Sequence, residues 1–250
     1  MVKKGSSSRW YGSELLDSLL AVPLVQDIPI STMSSIEKAE NGTVGTVHAN
    51  NVHQALPQYP PLRKIANPAP LGLFSFASTT FILSLYNVGA RGINVPNLVV
   101  GMALGVGGLA QFCAGMWEFA TGNTFGALAF SSYGGFWFSY AIIFIPGSGI
   151  SAAYEDTTQL GSAVAIYLLT WFTVTMLLFI ATLRRNVALS LLFGFLSVTF
   201  LLLGVADYVG NVNITRAGGA FGIITALIAY YIGMAGLLTP EDSWFTLPCW

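Results

Sequence analysis

Six long apolar runs constrain the fold of this chain more than any other feature of its sequence. They lie at about 71–88, 96–117, 124–145, 160–182, 187–206 and 216–238. Each is long enough to cross the hydrocarbon core of a bilayer, roughly 30 Å, as a helix. The chain is therefore predicted to be an all-α integral membrane protein with six transmembrane helices and both termini on the same side of the membrane.

The composition agrees with this class. Hydrophobic residues make up 54% of the 250 residues and charged residues only 8%, and the mean hydropathy is +0.67. In a soluble domain about a quarter of the residues are charged. The net charge is -1 and the basic residues form no cluster, so nothing in the sequence supports binding to nucleic acid.

Three regions follow from the position of the runs. Residues 1–66 are rich in Ser, Asn, Gly and Pro, and no apolar signal-peptide core follows the first residues. This region is predicted to be a largely disordered cytoplasmic tail. Residues 67–240 form the predicted six-helix transport domain, and residues 241–250 a short cytoplasmic C-terminal tail.

The few charges between the runs predict the orientation. With the N terminus in the cytoplasm, the basic pairs at 63–64 and 184–185 lie inside, and only Arg91 and Arg216 lie outside. This arrangement follows the bias of cytoplasmic loops towards Lys and Arg. We therefore expect a multi-pass protein of the cell membrane with both termini in the cytoplasm.

The first apolar run begins with a helix-start signal and carries polar side chains. Asn67 is a good N-cap residue, and Pro68 is tolerated where a helix begins. A helix that faced only lipid would not need polar side chains along its length. Four such residues lie among the Phe and Leu of this run: Thr79, Thr80, Ser84 and Asn87.

Two runs carry small residues at helical spacing, which predicts close packing between helices. The intervals of three, four and seven residues place each set on one face of its helix. A role of the glycines in widening a pore remains an alternative. The second run has Gly101, Gly105, Gly108 and Gly115, and the sixth has Gly218, Gly222, Ala226, Ala229, Gly233 and Gly236.

The sequence offers little for catalysis. No dinucleotide-binding, P-loop, nucleophile-elbow or zinc-protease motif occurs, and both histidines, His48 and His53, lie in the polar N-terminal region. The apolar runs contain no cluster of His, Cys, Asp and Glu. We therefore expect a protein that is not an enzyme and that needs no metal or cofactor, which leaves passage across the membrane as the favoured activity.

Two carboxylates lie near the ends of apolar runs, Glu118 and Asp207. At the ends, water or lipid headgroups can reach them, which argues against a proton relay at the bilayer centre. Glu118 also precedes a dense turn, Phe119 to Gly126, that offers a way to hold its side chain inward. Both interpretations of Glu118 stay open from sequence.

Asn67 and Asn123 both lie where a helix is predicted to begin on the cytoplasmic side. The free N–H groups and positive dipole ends of two such helices can attract a small anion. The alternative is that each asparagine only caps its own helix. Deeper in the runs, Tyr133 and Gln111 each need a polar partner, from a neighbouring helix or from a solute path.

Two motifs make a family resemblance visible, NPAPLGL at 67–73 and GGLAQFCAGMWEFATGNTFGALAFSSYGGFW at 107–137. The chain resembles the acetate uptake transporter family, which includes bacterial succinate–acetate permeases and fungal acetate transporters linked to ammonia export. The resemblance implies a homo-oligomer, a ring of six protomers, in which each protomer has its own path for acetate and similar short monocarboxylates.

The resemblance also implies which residues form the path. A narrow hydrophobic constriction falls on Phe76, Tyr133 and, with an ungapped fifth run, Leu196. Thr124, which follows Asn123 in the second motif, joins the polar residues of the motifs as a candidate.

Three functions are compatible with the sequence. The first is a transporter or channel for acetate-like anions, channel-like or proton-coupled. The second is a channel for neutral solutes or ammonia, because Asn67-Pro68-Ala69 matches the box that aquaporins carry twice, although here it occurs once. The third is a membrane sensor or scaffold without transport. The polar residues of the first run and Gln111 favour passage, and the lack of ionisable residues well inside the runs favours a channel-like path.

Overall fold

The computed structural model describes residues 65–93, 95–241 and 243–248, and within them six helices are long and apolar enough to cross a membrane. The prediction of an all-α, six-helix membrane protein is thereby confirmed, and the bounds lie close to the predicted runs. Nearly all of the predicted N-terminal tail, residues 1–64, lies outside the described residues. The helices are α1 Ala69–Asn87, α2 Val99–Thr121, α3 Thr124–Phe144, α4 Thr157–Thr182, α5 Val187–Val209 and α6 Val212–Leu237.

Successive helices alternate in direction, which defines two ends of the bundle. At the Asn67 end, α1, α3 and α5 begin, and at the Asp207 end, α2, α4 and α6 begin. The basic pair at 184–185 lies at the Asn67 end, whereas Arg91 and Arg216 lie at the Asp207 end. The charges are thus distributed as the predicted orientation requires, and the identity of the cytoplasmic end stays a prediction.

The small residues of α6 pack against other helices, as the sequence predicts. A Cβ atom added to Gly222 would collide with the hydroxyl of Ser84 on α1, and one added to Gly233 would lie 3.2 Å from Cβ of Leu73. These close approaches join α6 to α1, one of the most extensive contacts between helices in the described protein. Small residues permit such contacts where lipid supplies no hydrophobic driving force.

The corresponding prediction for α2 is wrong in part. Gly108 and Gly115 pack against α3, but a Cβ atom at Gly101 or Gly105 would have no neighbour within 4 Å. The reason is a π-helical segment at Gly105–Ala110. A π-turn adds a residue to the turn and rotates the rest of the helix, so intervals counted at 3.6 residues per turn do not hold across it.

Helix α1 begins one residue later than an Asn67 cap would place it, at Ala69 with Pro68 in the N-cap position. Asn67 still serves the helix start, because its Oδ1 accepts a hydrogen bond from the Ala69 N–H at 3.1 Å. Its Nδ2 donates to the carbonyl of Gly236 at 3.3 Å. One amide therefore stabilises the start of α1 and ties it to the end of α6.

The later helices begin with side-chain caps. Asp156 at the start of α4 accepts hydrogen bonds from the hydroxyl of Thr158 at 2.6 Å and from its N–H at 2.8 Å. Both bonds hold the pKa of the Asp156 carboxyl below its usual range, and the bond from the Thr158 hydroxyl has the larger effect. The cap residues of α3, α4, α5 and α6 are Asn123, Asp156, Asn186 and Asn211.

The described part of the C-terminal segment turns back onto the bundle. The hydroxyl of Tyr231, inside α6, donates a hydrogen bond to the carbonyl of Pro248 at 2.6 Å. Between them, Trp244 and Phe245 are exposed. The residues predicted to form a short cytoplasmic tail are thus held beside α6 up to Pro248, since the tyrosine hydroxyl finds an acceptor there.

Candidate functional site

Two cavities lie inside the bundle, one towards each end. The Asn123 cavity, towards the Asn67 end, has a volume of about 160 Å³, and the Asp207 cavity has one of about 90 Å³. The lining of the first is Ala69, Leu73, Phe76, Gln111, Asn123, Phe125, Gly126, Ala129, Phe130, Tyr133, Leu189, Leu192, Phe193 and Ile232. The lining of the second is Phe76, Thr80, Leu83, Ser84, Asn87, Phe136, Trp137, Tyr140, Leu168, Leu196, Thr199, Phe200, Leu203, Asp207 and Thr215.

Three helices, α1, α3 and α5, supply most of both linings. On α1 the lining continues from Leu73 through Phe76 and Thr80 to Asn87, at helical intervals of three, four and seven residues. Residues at such intervals share one face of a helix. The two cavities are therefore consecutive stretches of one line along the bundle, and Phe76 belongs to both.

The three residues named by the family resemblance line the two cavities, and Phe76 and Tyr133 pack against each other where the cavities meet. The ring centroids of Phe76 and Tyr133 are 5.7 Å apart. Tyr133 lines the Asn123 cavity, and Leu196 lines the Asp207 cavity. All three are almost fully buried, with at most 5% of their surface exposed. Their role as a constriction stays a prediction, which this arrangement allows.

The hydroxyl of Tyr133 has a partner that sequence reasoning missed. It lies 2.7 Å from the hydroxyl of Thr175 on α4, which in turn donates to the carbonyl of Trp171 at 2.6 Å. The phenol is thus satisfied within the protein while its ring faces the cavity. In the sequence, Thr175 is visible as a polar residue inside the apolar fourth run, which indicates a buried hydrogen bond. The sequence does not show which neighbour Thr175 contacts.

Aromatic rings surround the junction and hold Tyr133 in place. Its centroid lies 5.7 Å from Trp171, 6.2 Å from Phe193 and 6.4 Å from Phe200. Phe136, one turn further along α3, packs edge-on against Phe200 at 5.2 Å. Aromatic pairs at these distances stabilise the folded protein beyond the effect of burying the rings alone, so these contacts favour a fixed position of the Tyr133 ring at this mainly apolar level.

Polar groups without partners lie in both cavities. Gln111 is 0% exposed, and neither its oxygen nor its nitrogen has a hydrogen-bond partner in the described protein. In the Asp207 cavity the same holds for the hydroxyl of Thr80 and the indole Nε1 of Trp137. Leaving such a group unsatisfied costs about 1–3 kcal/mol. Each of these groups therefore lacks a hydrogen bond unless water or a solute supplies one.

The polar residues predicted along the first run separate into two sets. Thr80, Ser84 and Asn87 line the Asp207 cavity. Thr79 lines neither cavity, because its hydroxyl donates to the carbonyl of Ser75 at 2.9 Å and its side chain lies where Gly107 of α2 approaches. Only the first set can contact a solute there.

Glu118 is buried, so the expectation that water reaches its side chain is wrong. Its surface is 2% exposed, and its Oε2 accepts a hydrogen bond from Nδ2 of Asn123 at 2.8 Å. Gly126 permits this burial, because a Cβ atom there would lie 3.0 Å from the carboxyl carbon of Glu118. The alternative of an inward side chain is confirmed, yet Glu118 lines neither cavity.

Asn123 is fully used by the protein. Its Oδ1 accepts from the N–H of Gly126 at 3.2 Å, while its Nδ2 donates to Glu118. The capping role of Asn123 is thereby confirmed, whereas Asn67 lies one residue before the N-cap position of α1 and only accepts from its first N–H. Attraction of an anion by the two helix ends stays a prediction. Thr124, the first residue of α3, is exposed and lines neither cavity.

Asp207 differs from Glu118. It lies in the last turn of α5, is exposed, and lines the cavity named after it. Its predicted position at the end of a span is confirmed. Within the described residues no group of three or more His, Cys, Asp or Glu side chains is placed to hold a metal ion.

Comparison with known proteins identifies relatives over most of the chain. The sequence profile of the GPR1/FUN34/yaaH family matches residues 50–250. Ammonia transport outward protein 2 of Saccharomyces cerevisiae is 49% identical over 194 residues, which cover 75% of this chain and 69% of that protein. Acetate permease A of Emericella nidulans is 47% identical over 197 residues, which cover 74% and 66%.

Bacterial relatives match over nearly their full length. The succinate-acetate/proton symporter SatP of Escherichia coli is 38% identical over 186 residues, which cover 74% of this chain and 95% of that protein. A solved structure of the bacterial acetate channel SatP is 36% identical, with a TM-score of 0.66, and the match covers 74% of this chain and 99% of that one. The chain spans about two thirds of the length of the two fungal relatives. It belongs to the GPR1/FUN34/yaaH family.

Proposed function

We propose that this chain transports acetate and similar short-chain monocarboxylates across a membrane, along the line formed by the two cavities of one protomer. The observation that carries the proposal is the pair of cavities that meet at Phe76, each with buried polar groups that lack partners. The names of two relatives, an acetate permease and an acetate channel, support acetate as the solute.

The linings suit a small molecule with one apolar and one polar end. The aromatic and aliphatic wall of the Asn123 cavity favours a methyl group, and the amide of Gln111 can donate to a carboxylate. Beyond Phe76, the hydroxyl of Thr80 and the indole N–H of Trp137 offer further donors. The apolar level between the two cavities limits the size of the solute and excludes a continuous water column.

We favour a channel-like path over a proton relay within the protein. Asp207 is the one carboxylate among the cavity linings, and it lies at the end of the path, far along α5 from Leu196. Acetic acid has a pKa near those of Asp and Glu, about 4 to 5. Acidification therefore changes the share of neutral acid without any titration of the protein. Relatives carry both names, symporter and channel.

A second candidate solute is ammonium or ammonia. The observation that favours it is the carboxylate of Asp207 in the lining of its cavity, where a cation would be attracted. One relative is named an ammonia transport outward protein. Competition by methylammonium for the same path distinguishes the two candidates, since acetate uptake should not respond to it if only monocarboxylates enter.

The assembly and orientation extend the proposal. A ring of six protomers, each with its own path, is supported by Gly101 and Gly105 of α2, where an added Cβ atom would meet no described atom of the protomer within 4 Å. The alternative of a sensor or scaffold without transport would leave both cavities unused. The basic pair at 184–185 supports a cytoplasmic location of both termini.

The decisive experiment is uptake of radiolabelled acetate into vesicles that contain the purified protein. Saturable uptake that unlabelled acetate competes is expected, and its absence would show the proposal to be wrong. Gln111→Leu should lower uptake about tenfold without lowering the melting temperature, because the amide has no partner in the protein to lose. Thr79→Val is the matched control, since it removes a buried hydroxyl that lines neither cavity.

A further inference from the structure

A positive charge lies at the rim of the Asn123 cavity. The guanidinium carbon of Arg185 is 5.1 Å from the ring centroid of Phe125, whose ring lines the cavity. Arg185 lies two residues before α5 begins and one turn before Leu189, another lining residue. It is therefore placed outside the lining, at the Asn67 end of the cavity, and we call this end the mouth.

The guanidinium of Arg185 is available to a ligand. Within the part of the chain that the structure describes, it makes no ion pair and no hydrogen bond, only the contact with Phe125. A guanidinium stays charged at all relevant pH values and offers a fork of N–H donors that matches a carboxylate. The aromatic ring holds the cation in position, and Phe125 is itself packed edge-on against Phe193 at 5.5 Å.

The cavity behind this cation strengthens its effect. Its wall is mainly aliphatic and aromatic, and apolar walls focus the field of a charge instead of screening it. A short monocarboxylate can place its carboxylate on Arg185 and its alkyl group against Phe125 and Leu189. A dicarboxylate would have to bring a second charge into apolar surroundings, which is unfavourable.

We infer that Arg185 captures the carboxylate group of short monocarboxylate anions at this mouth, before they enter the Asn123 cavity. The inference rests on the proposed function and adds to it a binding residue outside the constriction. Arg184, the preceding residue, carries the same charge and is also exposed, but among the described rings none lies beneath its guanidinium. The two neighbours therefore form a natural pair of test and control.

The test compares Arg185→Gln with Arg184→Gln in proteoliposomes in which the Asn67 end of the protein faces the medium that supplies acetate. Initial rates are measured against acetate concentration at low and high salt, and again with acetamide, a neutral molecule of the same shape. For Arg185→Gln we expect a KM for acetate about fivefold higher at low salt, with a maximal rate within about twofold of the parent. High salt should reduce this difference, Arg185→Lys should restore part of the affinity, and Arg184→Gln should match the parent.

The controls separate capture by Arg185 from a general surface potential and from a structural defect. Equal KM changes in Arg184→Gln and Arg185→Gln would mean a general surface potential and would overturn the inference. A parallel loss of acetamide flux in Arg185→Gln would mean a structural defect and would overturn it as well. Saturable acetate uptake by the parent with an unchanged KM in Arg185→Gln would remove only the inference, whereas a parent without such uptake would remove the proposed function with it.

Discussion

The two cavities on either side of Phe76 differ in their chemistry. The Asn123 cavity is walled almost entirely by aliphatic and aromatic groups, with one deeply buried amide, that of Gln111. The Asp207 cavity carries hydroxyls, the amide of Asn87 and the carboxylate of Asp207. The first has a cation at its rim, Arg185, and the second an anion in its lining.

The difference indicates a path with opposite charges at its two ends. An anion is attracted at the Arg185 mouth and repelled beside Asp207. Between the two, an apolar level of aromatic rings admits small solutes. The two halves therefore have separate tasks in the proposed transport, whichever its direction: the half at the Arg185 mouth binds a carboxylate with a short apolar tail, and the half beside Asp207 offers polar groups to the same solute.

The largest effect, a loss of folding, is expected from a substitution where helices pack closely behind the wall of the Asp207 cavity. Gly222→Leu should prevent folding of the bundle, because even a Cβ atom would collide with the hydroxyl of Ser84, a lining residue. Size-exclusion profiles and melting temperatures of the purified variant provide the measurement. Gly135→Leu, where an added Cβ atom meets no described atom within 4 Å, is the control. Normal folding of Gly222→Leu would mean that α1 and α6 are not in contact there.

The next effect concerns the wall that separates the cavities. Phe76→Ala and Tyr133→Ala should raise the uptake of larger acids relative to acetate by about tenfold, because removal of a ring joins the two cavities. Uptake of acetate, butyrate and succinate per folded protein is the measurement. Phe130→Ala, which also removes a ring from the Asn123 cavity but not from the junction, should keep the parent's preference. Identical preferences in all variants would exclude Phe76 and Tyr133 from the path.

A smaller effect is expected from the buried carboxylate near the Asn123 cavity. Glu118→Gln should keep uptake that rises as the pH falls, within about twofold of the parent, because Glu118 lines neither cavity and acidification acts on acetic acid itself. Glutamine can still accept the hydrogen bond from Asn123. The measurement is the pH profile of uptake per folded protein. A flat profile in the variant would identify Glu118 as the proton-coupling group and refute the channel-like path.

The smallest effect on uptake is expected from the loss of a helix cap, and it should differ between a cap that lines the cavity and one that does not. Asn123→Ala and Asn186→Ala each remove the cap of a helix at the Asn67 end, which should lower stability by about 1 kcal/mol, and Asn123→Ala should lower it further because buried Glu118 also loses a hydrogen bond. Only Asn123 lines the cavity, so only Asn123→Ala should also reduce acetate uptake. Thermal unfolding and uptake, both per amount of membrane protein, give the comparison. Equal uptake in the two variants would limit Asn123 to a structural role.

The sequence alone determined the parts of this protein that depend on local properties. The length and hydropathy of each run predicted the six helices, because insertion into a bilayer depends on the sum of side-chain transfer energies along one segment. The small residues of α6 predicted its packing face, since no irregular turn interrupts its spacing. The two motifs identified the family and, through it, predicted Phe76 and Tyr133 as residues of the constriction.

Only the tertiary structure decided which residues from different helices meet. Burial of Glu118 depends on how closely α3 approaches at Gly126, and the partner of Tyr133 depends on the rotation of α4, which turns Thr175 inward. The π-turn of α2 changed the face of Gly101 in the same way. Rotation and separation of packed helices are set by contacts between distant segments, so spacing within one run cannot determine them.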